Sequence, residues 1–307
     1  MKHFLKLFFV TLTICLTFGC KQDKAIPTTS SQSYLIKPGD ILVVNMSSDS
    51  LLHFDSNGVY KGVLYDVDNV GESLYGIAWK SDTKEIIFTV IGAPRVGAIS
   101  VVDGTYRNLI TDANLSGTLR GLTQIPGGDI LVIETSNVER FTTNGVRRTS
   151  VSGVTWPNTF SGTTAPEQIS TTSNGELILC GSANVNRFTT NAVRVGAAVV
   201  SAIAGTTAGN GCVEMNNGSI AVAFNGTTDT IRTVGSGMTQ ASIATIYSDL
   251  AILASPRWLT KTIGGNLLTV DSVFNQIVEI TPSGTFVRTL GGGVLGTPNA
   301  VFSVPNY

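Results

Sequence analysis

Asn137-Val138-Glu139-Arg140-Phe141-Thr142-Thr143-Asn144 returns 47 residues later as Asn184-Val185-Asn186-Arg187-Phe188-Thr189-Thr190-Asn191, with one exchange. A near-exact return at a fixed offset points to a repeat architecture. Before each copy lies a turn and an aliphatic run, Gly128-Asp129-Ile130-Leu131-Val132 and Gly175-Glu176-Leu177-Ile178-Leu179. The same signal stands at Gly39-Asp40-Ile41-Leu42-Val43, Lys84-Glu85-Ile86-Ile87-Phe88, Gly218-Ser219-Ile220-Ala221-Val222 and Gly265-Asn266-Leu267-Leu268-Thr269. Successive spacings are 45, 44, 47, 43 and 47 residues. After each run comes a hairpin turn, such as Asn57-Gly58, Asp103-Gly104 or Asn144-Gly145, whose residues tolerate the positive φ of a tight two-residue loop. Before each run comes a further short strand, for example Gly76-Ile77-Ala78-Trp79, Gly121-Leu122-Thr123-Gln124 or Trp258-Leu259-Thr260. One unit therefore reads as strands A, B, C and D. Four strands per roughly 45 residues make a propeller blade. Residues 33–304 supply 272 residues, enough for six such units. The expected fold is an all-β six-bladed β-propeller with four-stranded antiparallel blades.

The ends of the repeat predict how the ring closes. Ala300-Val301-Phe302-Ser303-Val304 has an A-strand pattern with no B strand after it. It is expected to pair with the first B strand, Ile41 to Asn45, which removes an open sheet edge. Tyr34-Leu35-Ile36 is a further candidate A strand. Composition agrees with this fold. Only 13% of the 307 residues are charged, against about 25% in average domains, and 42% are hydrophobic. That balance excludes a disordered chain and a long-helix protein. A formal net charge of −1 gives no electrostatic basis for nucleic-acid binding.

The N-terminus reads as an export signal. Lys2 and Lys6 precede an apolar stretch, Leu7 to Phe18, which is too short for the ~20 residues a spanning helix needs. It ends in Gly19-Cys20, which resembles the lipobox of bacterial lipoproteins. The resemblance implies a signal peptide over residues 1–19 and a lipidated Cys20. Residues 20–32 would be a polar tether carrying a propeller over 33–307. Lys21, where Asp would mark inner-membrane retention, implies the outer membrane, facing the periplasm or the surface. The lipid would be the only membrane attachment. Of the remaining cysteines, Cys15 leaves with the signal. Cys180 and Cys212 are either a disulfide or two buried thiols in an oxidising compartment.

The Gly-aliphatic A strands, the acid-led B strands and the C–D turns resemble those of NHL-repeat and SMP-30-like propellers. The resemblance covers nearly all of residues 33–304 and implies fold more than function. The NHL-type lyases use a His-coordinated zinc. Here His3 and His53 are the only histidines, so that site is disfavoured. SMP-30-like hydrolases bind a divalent cation at the channel mouth, with one Glu directly before the A-strand Gly. The corresponding positions are Tyr75, Arg120, Glu167, Gly211, Arg257 and Asn299. Only Glu167 fits, and two guanidiniums oppose a cation. No metal, cofactor or catalytic residue is therefore expected. Tyr75, Arg120, Glu167, Arg257 and Asn299 form either a ligand site at the mouth or an ion-pair plug.

His53 reads as a half-exposed strand residue, and Asp40, Glu85, Asp129 and Glu176 as turn-satisfying acids. The long D–A loops over 151–166 and 243–256 carry Trp156, Phe160 and Tyr247. These are either interaction anchors or side chains tucked between blades. The leading reading is a monomeric, non-catalytic envelope lipoprotein whose propeller binds an envelope or surface protein, or a glycan. The alternatives are an SMP-30-like metal-dependent hydrolase or lactonase, and a small-ligand sensor using the arginine-lined mouth.

Overall fold

A computed structural model describes residues 36–307 except 68, 114, 116, 162, 164, 183, 197–199 and 202–205. The expected signal peptide, Cys20, the tether, and Tyr34 and Leu35 lie outside the described residues.

The chain forms six antiparallel blades. The first holds β1 (Ile41–Asn45), β2 (Ser50–Phe54) and β3 (Tyr60–Asp66). The second is β4 (Ser73–Lys80), β5 (Glu85–Ile91), β6 (Arg95–Ser100) and β7 (Tyr106–Ile110). The third is β8 (Leu119–Gln124), β9 (Ile130–Glu134) and β10 (Asn137–Phe141), followed by a separate hairpin of β11 (Ser150–Val151) and β12 (Val154–Thr155). The fourth is β13 (Pro166–Thr171), β14 (Leu177–Gly181), β15 (Asn184–Phe188) and β16 (Val200–Ser201). The fifth is β17 (Thr206–Glu214), β18 (Ile220–Gly226), β19 (Thr230–Val234) and β20 (Ala244–Tyr247). The sixth is β21 (Pro256–Lys261), β22 (Leu267–Asp271), β23 (Gln276–Ile280) and β24 (Phe286–Leu290). Finally β25 (Pro298–Ser303) pairs antiparallel with β1, Val301 opposite Val43, and completes the first blade. The ring closes as the sequence predicts, with β25 as the innermost strand. Ile36, in contrast, is buried outside any strand.

The innermost strands β25, β4, β8, β13, β17 and β21 touch in that order around the axis. The B strands β1, β9, β14 and β22 are buried at every residue, because neighbouring blades cover both faces. This is why they read as continuous aliphatic runs rather than alternations. The outer strands β3 and β24 are largely exposed.

The third blade departs from the expected four strands. After the turn at Gly145 the chain stays beside β10 only at the Phe141–Arg147 bridge. It then leaves the edge to form the β11–β12 hairpin, and a Val138–Asn158 bridge covers the rest. Arg147 Nε reaches Asp112 at 3.1 Å and Arg148 Nε reaches Asp129 at 2.9 Å, so both are drawn into ion pairs.

That excursion sets where the loop aromatics go. Trp156 and Phe160 are 3% and 1% exposed and pack with Phe188 in the core between blades three and four. The Phe160 and Phe188 rings meet edge-on at 4.9 Å. Tyr247 is buried against Leu253 and Leu259. These three side chains fill the space between blades rather than offering anchors to a partner. His53 is likewise buried, not half-exposed, with Nε2 2.7 Å from Asp40 Oδ2. The B-strand acids also differ from expectation. Glu85 pairs with Arg107 at 2.7 Å, Asp129 with Arg140 at 2.8 Å and Glu176 with Arg187 at 2.5 Å. Pairing with strands C and D sets a basic residue beside each acid, so the acid tapes the blade together instead of only capping a turn. Asp40 alone also accepts from a turn amide, Lys37 N at 2.8 Å. Cys180 of β14 and Cys212 of β17 are joined as a disulfide, Cα–Cα 6.0 Å, linking blades four and five.

Candidate functional site

The innermost strands share one register defect, and the defect builds the site. Each carries a β-bulge in its pairing with the B strand, between Leu74 and Ile77, Leu119 and Leu122, Pro166 and Gln168, Gly209 and Gly211, Arg257 and Leu259, and Pro298 and Ala300. Beyond the bulge, Ile77 faces Phe88, Leu122 faces Val132, Cys212 faces Val222, Leu259 faces Thr269 and Val301 faces Val43. A bulge re-aims the residues beside it. Counting two back from each of these positions, with Ile169 in blade four, gives Tyr75, Arg120, Asn210, Arg257, Asn299 and Glu167. The ring predicted from sequence is brought together, with one correction. Blade five contributes Asn210, not Gly211. Gly211 instead lies against the Trp258 backbone, where a Cβ would come within 2.6 Å, as Gly76 and Gly121 lie against the next inner strand.

Five of the six side chains are linked into an arc. Arg257 Nη1 donates to Asn299 Oδ1 at 3.2 Å, and Asn299 Nδ2 donates to the Tyr75 carbonyl at 3.0 Å. Tyr75 Oη donates to Glu167 Oε2 at 2.5 Å, and Arg120 Nη1 donates to Glu167 Oε1. Both oxygens of Glu167 are thus engaged, and Arg120 neutralises its charge. The ion-pair plug exists on this side only. Arg257 has no carboxylate partner among the described residues, and its Nε is buried without a hydrogen-bond partner. Tyr75, Glu167, Asn210, Arg257, Trp258 and Asn299 line a recess of about 120 Å³.

Next along the strand from Glu167, a side-chain amide ties the inner strands together. Gln168 Oε1 accepts from the backbone N–H groups of Cys212 and Leu259, both at 3.1 Å. Its Nε2 donates to the Leu259 carbonyl at 2.9 Å. One amide thereby ties blade four to blades five and six. Trp258, 3% exposed, sits beside it with a positive φ of 39°, a strained conformation for a bulky residue.

A divalent cation, which the SMP-30-like resemblance implies, does not fit these residues. Such ions need several free oxygen ligands. The ring has one carboxylate, already engaged, and a second unpaired guanidinium. Among the described residues no group of three or more His, Cys, Asp or Glu is gathered anywhere. What the recess can do is hold an anionic or strongly accepting group, through Arg257 with the Asn210 amide beside it.

No protein-family model and no curated protein sequence matches the chain. Solved structures do resemble it. A chain of a nidogen–laminin complex superposes with a TM-score of 0.69 at 14% identity, covering 85% of this chain and 97% of that one. A catalytically inactive virginiamycin B lyase from Staphylococcus aureus, solved with quinupristin, gives 0.58 at 18% identity, covering 87% and 86%. A gluconolactonase from Xanthomonas campestris gives 0.59 at 13% identity, covering 90% and 91%. These likenesses establish a six-bladed propeller with neighbours of the NHL and SMP-30-like type. The neighbours include both enzymes and a member of a protein complex.

Proposed function

We propose that this chain is a non-catalytic binding propeller, lipid-anchored at the bacterial envelope through Cys20, that captures an envelope or surface protein at the mouth of its ring. One observation carries the reading: Arg257 faces the recess without a carboxylate, while the only acid of the ring is neutralised by Arg120 and Tyr75. The mouth is therefore tuned to accept negative charge from outside. A carboxylate side chain of a partner is the simplest complement, because a guanidinium binds it in two parallel hydrogen bonds. The propeller chain in the nidogen–laminin complex is a precedent for this fold within a protein assembly.

The test is capture of partners from envelope extracts on the wild-type protein, Arg257→Lys and Arg257→Ala. Losing one member of a buried charge pair costs about 2–5 kcal/mol. Arg257→Ala is therefore expected to reduce capture by more than tenfold, with Arg257→Lys between. Cys20→Ser is expected to move the protein from the membrane fraction to the soluble fraction. Stoichiometric Ca²⁺ or Zn²⁺ in the purified protein, with lactone hydrolysis lost in Glu167→Gln, would replace this reading with the hydrolase one.

A further inference from the structure

We propose a second ligand site at the other end of the channel, built to take a neutral saccharide. The A strands enter the ring at the Arg257 recess and leave it at the opposite end. There Trp79, Gln124, Thr171, Thr260 and Phe302 surround a cavity of about 720 Å³. That lies within the roughly 300–1,000 Å³ range of small-molecule sites. Trp258 borders both this cavity and the recess, so the two sites share one wall and do not join.

The lining sets the ligand's chemistry. Its inner part is apolar, from Ile77, Leu122, Ile169, Val213 and Leu259 together with the rings of Trp79 and Phe302. Trp79 is only partly buried, and the Tyr307 ring packs against it at 5.5 Å. A braced indole at a cavity wall suits an apolar ring face. Charge is absent from the rest. Asp82 is the one ionisable side chain in the lining, and Lys80 Nζ lies 2.7 Å from it. A charged ligand would therefore be desolvated against no counter-charge.

The remaining polar side chains are hydroxyls and two amides, Gln124 and the Gln168 already tied to the backbone of Cys212 and Leu259. Gln124 Oε1 accepts from Ser81, and Gln124 Nε2 donates to Asp82, so this part of the rim is held rigid. Thr123 and Thr171 share a hydrogen bond at 3.1 Å, and Ser170 Oγ donates to the Cys212 carbonyl at 3.2 Å. The Thr260 hydroxyl differs. The residue is 9% exposed and lines the cavity, yet it has no hydrogen-bond partner among the described residues. Hydroxyls both donate and accept. An apolar ligand would bury the Thr260 hydroxyl without a partner, at a cost. A sugar ring offers what this lining lacks, a C–H face for the indole and hydroxyls for the rim. This proposal does not depend on the partner reading of the Arg257 mouth.

The experiment is calorimetric titration of the wild-type protein with N-acetylglucosamine, maltose and cellobiose, followed in parallel by tryptophan fluorescence. Glucuronate serves as the charged control and indole as the apolar one. Saturable binding of at least one neutral sugar is expected. It should weaken at least tenfold in Trp79→Ala and in the near-isosteric Thr260→Val, and stay unchanged in Arg257→Ala. Thr260→Val and Trp79→Phe keep the test valid if Trp79→Ala fails to fold. Four results would each overturn the proposal. These are no saturable binding of any of the three sugars, binding indifferent to Thr260→Val and Trp79→Phe, a preference for glucuronate or indole over the neutral sugars, or loss of sugar binding in Arg257→Ala.

Discussion

Asp82 stands at the rim of the larger cavity under opposed influences. Burial pushes its carboxyl up, but hydrogen bonds from Lys80, Thr143 and Gln124 outweigh burial and hold it at about 2, below its ordinary 3.8. A carboxyl whose folded value lies below its unfolded one adds stability above the unfolded value. That contribution is lost as pH falls from 3.8 towards 2. Asp82→Asn should therefore flatten the acid limb of a Tm-versus-pH curve between about pH 4 and pH 2. An acid limb parallel to wild type in that window would show that the rim network contributes nothing. The mouth residues were legible one by one because their position before an aliphatic A strand is fixed. Asn210 is not legible in this way, because Gly209 and Gly211 flank it and only the Cys212–Val222 pairing identifies Gly211 as the counterpart of Gly76 and Gly121. Aligning the units on their B strands recovers it. The burial of His53, Trp156, Phe160 and Tyr247 was not legible, since residue type does not say which loop turns inward.

At the scale of strands, the inner ring is held together by close backbone approach. A Cβ on Gly76 would lie 2.5 Å from the Arg120 carbonyl oxygen, and one on Gly121 would lie 2.7 Å from the Glu167 carbonyl oxygen. Neither neighbour can yield as a side-chain tip would, because each is backbone. Overpacking of this kind costs about 1–3 kcal/mol. Gly121→Ala should lower the unfolding free energy by that amount, read as a lower urea midpoint at unchanged slope, and loosen the Arg120–Glu167 pair beside it. A midpoint within error of wild type would mean that the ring spacing is not set by these glycines. The strand pattern itself was readable, since the B strands are buried on both faces and the turns demand Asn-Gly or Asp-Gly. The fourth strand of blade three was not. Blade four makes the matching Phe188–Arg194 bridge and still carries an outer strand, so the local repeat does not mark the difference. The Cys180–Cys212 bridge closes a loop of 32 residues between two blades. By loop length it contributes about 3–4 kcal/mol.

At the scale of the molecule, the ring has one place where the chain is not continuous through a blade, and β25 closes it. Its pairing with β1 covers Ile41–Asn45, all buried, and the Gly39–Val304 and Val304–Asp40 backbone hydrogen bonds extend the seam. The seam is also pinned from outside. Arg288 of β24 donates to the Ser56 and Asn57 carbonyls at 3.0 Å and 2.6 Å, and Tyr307 Oη donates to the Ile36 carbonyl at 2.6 Å. Removing residues 298–307 would leave β1 with an unpaired edge that is apolar from Ile41 to Val44, the kind of edge that pairs with other chains. The truncated protein should therefore elute as oligomers in size-exclusion chromatography and lose its cooperative melt. A synthetic peptide of residues 296–307 should restore the monomer by adding the missing strand, since main-chain pairing supplies the affinity and the alternating side chains the register. If the truncated chain stays monomeric with an unchanged Tm, closure is not what holds the ring, and the inter-blade packing suffices alone. If the oligomers form and the peptide dissolves them, the last strand is the element on which the shape of both channel ends depends. Asn299 of the recess and Phe302 of the larger cavity both sit on it.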